Sequence, residues 1–280
     1  MIAAHHSMMA GGTPTPPASE YWGLCFTAEE PNVVVNMAKY GRFAPPSVSL
    51  EYSMDGKIWS IFDASNYTTP ITLADIGSKV YFRAGAGGNE RISSSARNRR
   101  LFTLSGRCSA SGNIMSILDG DNESNVTLTG AYTFIGLFQN CTNLISAPTL
   151  PATTLAAHCY DSMFYGCAGL ISSIDLPATS TTEDGVYMLM FNSCISLERT
   201  GKIALATSTG VSGLSDMFLS CSNLKYIELT NMTAWATGMD DWVTNVAASG
   251  TFKCPAALGT NATITRGVNN CPKGWTVVNI

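Results

Sequence analysis

His158 beside Cys159, with Cys167 eight residues on, is the grouping in this chain that most invites chemistry. An imidazole next to a thiol can generate a thiolate nucleophile, and the three side chains are all ligands for a soft metal. The spacing argues against both. Neighbouring residues point in different directions, so an adjacent His-Cys pair does not face itself. A zinc site would also need a fourth ligand at a finger-like spacing, and none follows. Other candidates are weaker still. "DGDNES" (119–124) opens like a calcium loop but lacks the spaced glutamate. Asp240-Asp241 has no partner to form an acid-base couple, His5-His6 stands alone, and no P-loop, GxSxG or HExxH occurs. No catalytic residue, no cofactor and no metal is expected.

Cys167 has a second explanation, because it recurs. Met163-Phe164 precedes Cys167, Met190-Phe191 precedes Cys194, Met217-Phe218 precedes Cys221, and a weaker copy places Phe138 before Cys141. These cysteines are 26, 27 and 27 residues apart, and each has a leucine three positions later: Leu144, Leu170, Leu197 and Leu224. A fixed period of this kind marks a solenoid, in which each unit buries its apolar side only against the next. The repeated Met, Phe, Cys and Leu are therefore core residues on successive coils, with Phe191 inward and Asn192 outward. Equivalent positions on stacked coils lie ~5 Å apart, within disulfide range. A cysteine held in register beside Met and Phe is better read as a small buried thiol. The repeat decays along the chain, Cys159 giving way to Val186 and then Gly213.

The rest of the chain sets the frame. With 45% apolar residues in 280 it is globular, and no apolar run reaches the about 18 to 20 residues that span a bilayer. Charged residues make up 13%, the net charge is -4, and the one basic cluster, Arg97, Arg99 and Arg100, reads as the start of a strand. Nucleic acid is not an expected partner. Residues 1–20 read as an apolar anchor, Ile2, Ala3, Ala4, Met8 and Met9, followed by a Gly- and Pro-rich linker, with no basic start typical of a secretion signal. Residues 21–108 alternate as six or more short strands, with Asp55-Gly56 as a tight hairpin turn, which predicts an antiparallel β-sandwich. Residues 109–230 form the solenoid, each unit a short strand, a polar stretch and a short helical or turn segment ending in Met-Phe. Residues 231–280 break the period and read as a cap. The expected class is mainly β with short helices.

"CTNLISAPTLPATTLAAHCYDSMFYGCAGL" resembles the leucine-rich repeats of the Bacteroides surface protein A (BspA)-like family. "VSLEYSMDGKIWSIF", "ITLADIGSKVYFRAGAGGNE" and "SASGNIMSILDG" look like the β-domain that precedes such repeats, and "WVTNVAASGTFKC" and "PKGWTV" like their ending. The array is short. In that form the chain is similar to virion proteins of phages that infect Bacteroidales. The resemblance implies a non-enzymatic head or tail fibre or decoration component. It would be docked on capsid or tail proteins through its N-terminal segment, homo-oligomeric in the particle, and turned outward to a host-surface or mucosal ligand. The alternative is a BspA-like adhesin of the bacterial cell surface.

Overall fold

A computed structural model describes residues 21–41, 46–63, 70–120, 122–259 and 267–280. The anchor residues Ile2, Ala3, Ala4, Met8 and Met9, and Asp121, lie outside them. The chain is mainly β, and the two α-helices among the described residues have four residues each.

The first eight strands are β1 (Cys25–Ala28), β2 (Val33–Tyr40), β3 (Leu50–Ser53), β4 (Ser60–Phe62), β5 (Ile71–Leu73), β6 (Lys79–Ala84), β7 (Arg99–Leu104) and β8 (Cys108–Ser111). β5, β2 and β7 form one sheet; β4, β3, β6, β1 and β8 form another, which β9 (Leu144–Ser146) extends. Alternation decides which residues go inward: Val33, Val35 and Met37 are buried along β2 while the residues between them are partly exposed. Their partners are aromatic. Phe26 and Phe82 of one sheet meet Phe102 of the other, with ring centroids 4.9 and 5.1 Å away. Asp55-Gly56 does not close the expected two-residue hairpin, since Tyr52 pairs with Ser60 and leaves a wider loop. The Asp55 carboxylate organises that loop by accepting N–H groups from Lys57 (2.8 Å) and Ile58 (2.9 Å). Arg99 and Arg100 begin β7 as expected but are buried, the first over the Tyr40 ring and the second donating to the Pro46 carbonyl.

β8 is the hinge between two architectures. It runs antiparallel to β1, Cys25 opposite Ser111, and parallel to β9, Cys108 opposite Leu144. The other sheet is continued in its own way, because the Phe102 N–H in β7 donates to the Leu137 carbonyl (2.8 Å) in the first coil. One turn of helix, α1 (Ser116–Asp119), packs on β6; its Ser116 hydroxyl donates to the Phe82 carbonyl (2.9 Å) and accepts the Leu24 N–H (2.9 Å). One apolar core therefore runs through both parts of the molecule.

Beyond β9 the coils stack as a β-solenoid. Its remaining elements are β10 (Ser180–Thr181), β11 (Arg199–Ile203), β12 (Thr207–Ser208), β13 (Tyr226–Leu229), β14 (Thr251–Cys254), α2 (Ala256–Gly259) and β15 (Thr276–Asn279). β11, β13, β14 and β15 form a parallel sheet on one side, and β10 pairs with β12. The segment ending in Met-Phe is a ribbon of turns and not a helix. Every fourth residue adopts the left-handed conformation, as at His158 (φ 54°), Ser162 (55°) and Gly166 (70°), which no α-helix tolerates. Hydrogen bonding alternates along this ribbon. Leu137 and Cys141 donate back three residues to Phe134 and Phe138, whereas Phe138 donates to Met163 of the next coil (2.9 Å). Beyond residue 230, β14 and β15 continue the sheet, and Trp242 takes the place of the repeated phenylalanine.

Candidate functional site

The turn ribbon positions His158, and its neighbours explain what it does. The ring lies parallel to Tyr132 in the preceding coil, centroids 4.8 Å apart. On its other side stands Gly185, where a Cβ would sit 2.3 Å from Nδ1. Nδ1 is 3.0 Å from Oδ2 of Asp161, whose other oxygen accepts the Ser162 hydroxyl (2.6 Å). Burial pushes the Asp161 carboxyl up, against the lowering hydrogen bonds from Ser162 and His158. Ser, His and Asp are thus together, but in the wrong order for a nucleophile: the carboxylate holds both partners, and the serine proton points at it and not at imidazole. The His158 and Asp161 spacing of three residues was visible in sequence; the ribbon that brings the groups together was not.

Cys159 does not face this group. It is fully buried, and burial raises its thiol to about 12. All nine cysteines are free and buried. At the repeat register each thiol donates to a phenylalanine carbonyl one coil back: Cys141 to Phe102 (2.8 Å), Cys167 to Phe138 (3.0 Å), Cys194 to Phe164 (3.1 Å) and Cys221 to Phe191 (3.0 Å). Burial pushes Cys141 and Cys221 to about 12, so these sulfurs are inert at neutral pH. Beside them Phe138, Phe164, Phe191 and Phe218 stack with centroids 5.3, 5.4 and 5.6 Å apart. Met163, Met190, Met217 and Leu144, Leu170, Leu197, Leu224 complete the same interior, all buried. Asn192, read as outward, is also buried at 4% exposure, because the ribbon does not alternate faces as a strand does.

Of the acidic candidates, Asp119 accepts from Asn125, and Asp240 and Asp241 meet Asn269 of the following coil. Stacking brings Asp216 to this pair; burial first, then the two carboxylates, push it up. Among the described residues no group of three or more such side chains could hold a metal ion, and no helix is long and apolar enough to cross a membrane.

With the interior so occupied, the outward side of the parallel sheet is the candidate for contact with other molecules. Arg199, Tyr226, Thr251 and Thr276 form one cross-coil row there, and Lys202, Glu228, Lys253 and Val278 the next. The Arg199 guanidinium lies 5.1 Å over the Tyr226 ring. Glu228 accepts the Tyr226 hydroxyl (2.7 Å) and the Lys253 ammonium (3.0 Å).

No family model, curated protein or solved structure matches this chain.

That leaves the two rows to be read from their own chemistry. They combine cations, a carboxylate, hydroxyls, an aromatic ring and an apolar side chain across adjacent coils.

Proposed function

We propose that the chain is a non-enzymatic structural protein of a tailed phage particle, a fibre or decoration component that displays an adhesive solenoid. In this reading the two N-terminal sheets are a sandwich and the coils are leucine-rich repeats of the BspA-like type. The observation that carries it is where the reactive side chains go. Each cysteine is a buried thiol, and His158 is pinned between Tyr132, Gly185 and Asp161, so the groups that could perform chemistry instead hold coils in register. What remains outward is a polar face carried by the stacked coils, the form of a binding surface. Capsid or tail proteins would be met through the N-terminal segment, with several copies in the particle, and a host-surface or mucosal ligand through the solenoid.

Mass spectrometry of density-purified particles tests the placement. Peptides of this chain should copurify with the particles at a fixed ratio to the major capsid protein. Their absence from particles, together with protease-accessible protein on bacterial cells, would overturn it.

A further inference from the structure

We propose that the outward face of β11, β13 and β14 binds acidic polysaccharide, through Arg199 and Lys202 with Tyr226 and Thr251 beside them. The distribution of charge points there first. Residues 108 to 198 contain no lysine or arginine, and then Arg199, Lys202, Lys225 and Lys253 follow on three successive coils. In a chain of net charge -4 such clustering makes a local positive field.

Backbone geometry sharpens the observation. Residues three apart in a regular strand point to opposite faces, so Arg199 and Lys202 should be divided between core and solvent. A bulge prevents this: Arg199 pairs with Tyr226 and Lys202 with Glu228, three residues on one strand against two on the other. Thr200 takes the buried position and accepts the Glu228 N–H (3.1 Å), while both cations stand exposed on the same side. Gly201 permits the kink, since a Cβ there would lie 2.4 Å from the Ile174 carbonyl carbon.

Three carboxylates share the region: Glu198, Glu228 and Asp175, whose Oδ1 accepts the Lys202 N–H (2.7 Å). Glu198 pairs with Lys225 (2.9 Å) at the edge of the face, and Glu228 with Lys253 (3.0 Å). Four cations against three carboxylates leave one net positive charge, and Arg199 and Lys202 are the two of the four that form no ion pair among the described residues. That density does not suit DNA, which carries one charge per ~1.7 Å and would also meet the repulsion of the acidic chain. It does suit a polymer with carboxylate or sulfate groups set apart by sugar units. Hydroxyls of Tyr226, Thr251 and Thr276, one per coil at a spacing of ~4.8 Å, offer hydrogen bonds to the sugars between them.

The inference rests on the binding reading of the chain but not on its place in a particle. Purified full-length protein can be tested by affinity electrophoresis against alginate, dextran sulfate, neutral dextran and a short DNA duplex. Binding to alginate or dextran sulfate should weaken with added salt, and neutral dextran should not retard the protein. R199E/K202E should lower the affinity by at least about tenfold. Lys202→Arg should keep it, and Lys57→Glu, an exposed charge change on the β3–β4 loop, should leave it unaltered. Should R199E/K202E fail to fold, Lys202→Gln should still show a several-fold loss. Parental affinity in the charge variants, no retardation by either acidic polysaccharide, or preference for the duplex would each overturn the proposal. Absence from particles with this binding intact would sink only the phage assignment.

Discussion

At the register of Cys194 the side chain must fill a small apolar space and still offer a proton to the Phe164 carbonyl 3.1 Å away. A thiol meets both demands; alanine meets the first and serine the second. The repeated cysteine was legible in sequence as a buried residue, but not its hydrogen bond, which depends on a carbonyl about thirty residues earlier. Titration in urea without reductant should release nine thiols per chain. In the native state at pH 8, Cys141 and Cys221, with pKa values near 12, should alkylate at least about a thousandfold more slowly than an exposed cysteine. Fewer than nine thiols in urea would require disulfides where the coils hold none. Phe191 stands between Phe164 and Phe218, so Phe191→Ala should cost about 3 to 5 kcal/mol in a denaturant melt. Ile195→Ala is the proper control, since Ile195 is 50% exposed and should cost about 0.5 kcal/mol or less. Equal losses at the two sites would argue against the ring stack as a stabilising feature.

Among the elements, strands were easier to read than turns. "KVYFRA" and "RRLFTL" carry β-branched and aromatic residues, and both appear as β6 and β7. The turn ribbon gave no such signal. Its left-handed positions hold Tyr132, Leu189 and Ser220 as well as glycines, residue types other than glycine that local propensity does not place there. Each non-glycine in that conformation costs roughly 1–2 kcal/mol, offset by the bonds between coils and by burial of the rings. The bulge in β11 was equally hidden, as strict alternation separates the two cations that it unites. Glu228 supplies a test at this scale. Burial pushes its carboxyl up, but the Tyr226 hydroxyl, Lys253 and Lys202 outweigh this and hold it below the ordinary carboxylate value. A lowered folded-state pKa adds stability above the ordinary value of about 4.3, and this is lost as the pH falls toward the lowered one. Glu228→Gln should thus melt below the parent at pH 7, with the gap closing under acid. A gap that stayed constant with pH would show the pair to be energetically idle.

For the whole molecule, composition and the 26- to 27-residue period were enough to read a β-rich N-terminal part and a stack of coils. They could not reveal how the parts join or that β14 and β15 prolong the stack, since both depend on pairings between distant segments. The expected boundary at residue 108 falls at the first residue of β8, a strand that both architectures share. Phe102 and Phe138 stack across the same junction, 5.7 Å apart. Melting should therefore be one cooperative transition, and Phe102→Ala and Phe191→Ala should both shift that same transition. Two separable transitions in calorimetry, only one of them moved by each substitution, would show the parts to be independent.

The parallel pairing of β11, β13, β14 and β15 also sets how the molecule bears load. Hydrogen bonds between coils run along the stack, so a pull on the last coil strains its own bonds first and leaves those beneath at rest. Coils come away singly, as in a zip. Each released coil of 25 to 27 residues lengthens the chain by about 90 Å, at an extended length of ~3.3–3.6 Å per residue. Under drag the stack would then yield in steps of similar length, lowering the tension on whatever it holds before the N-terminal sheets begin to open.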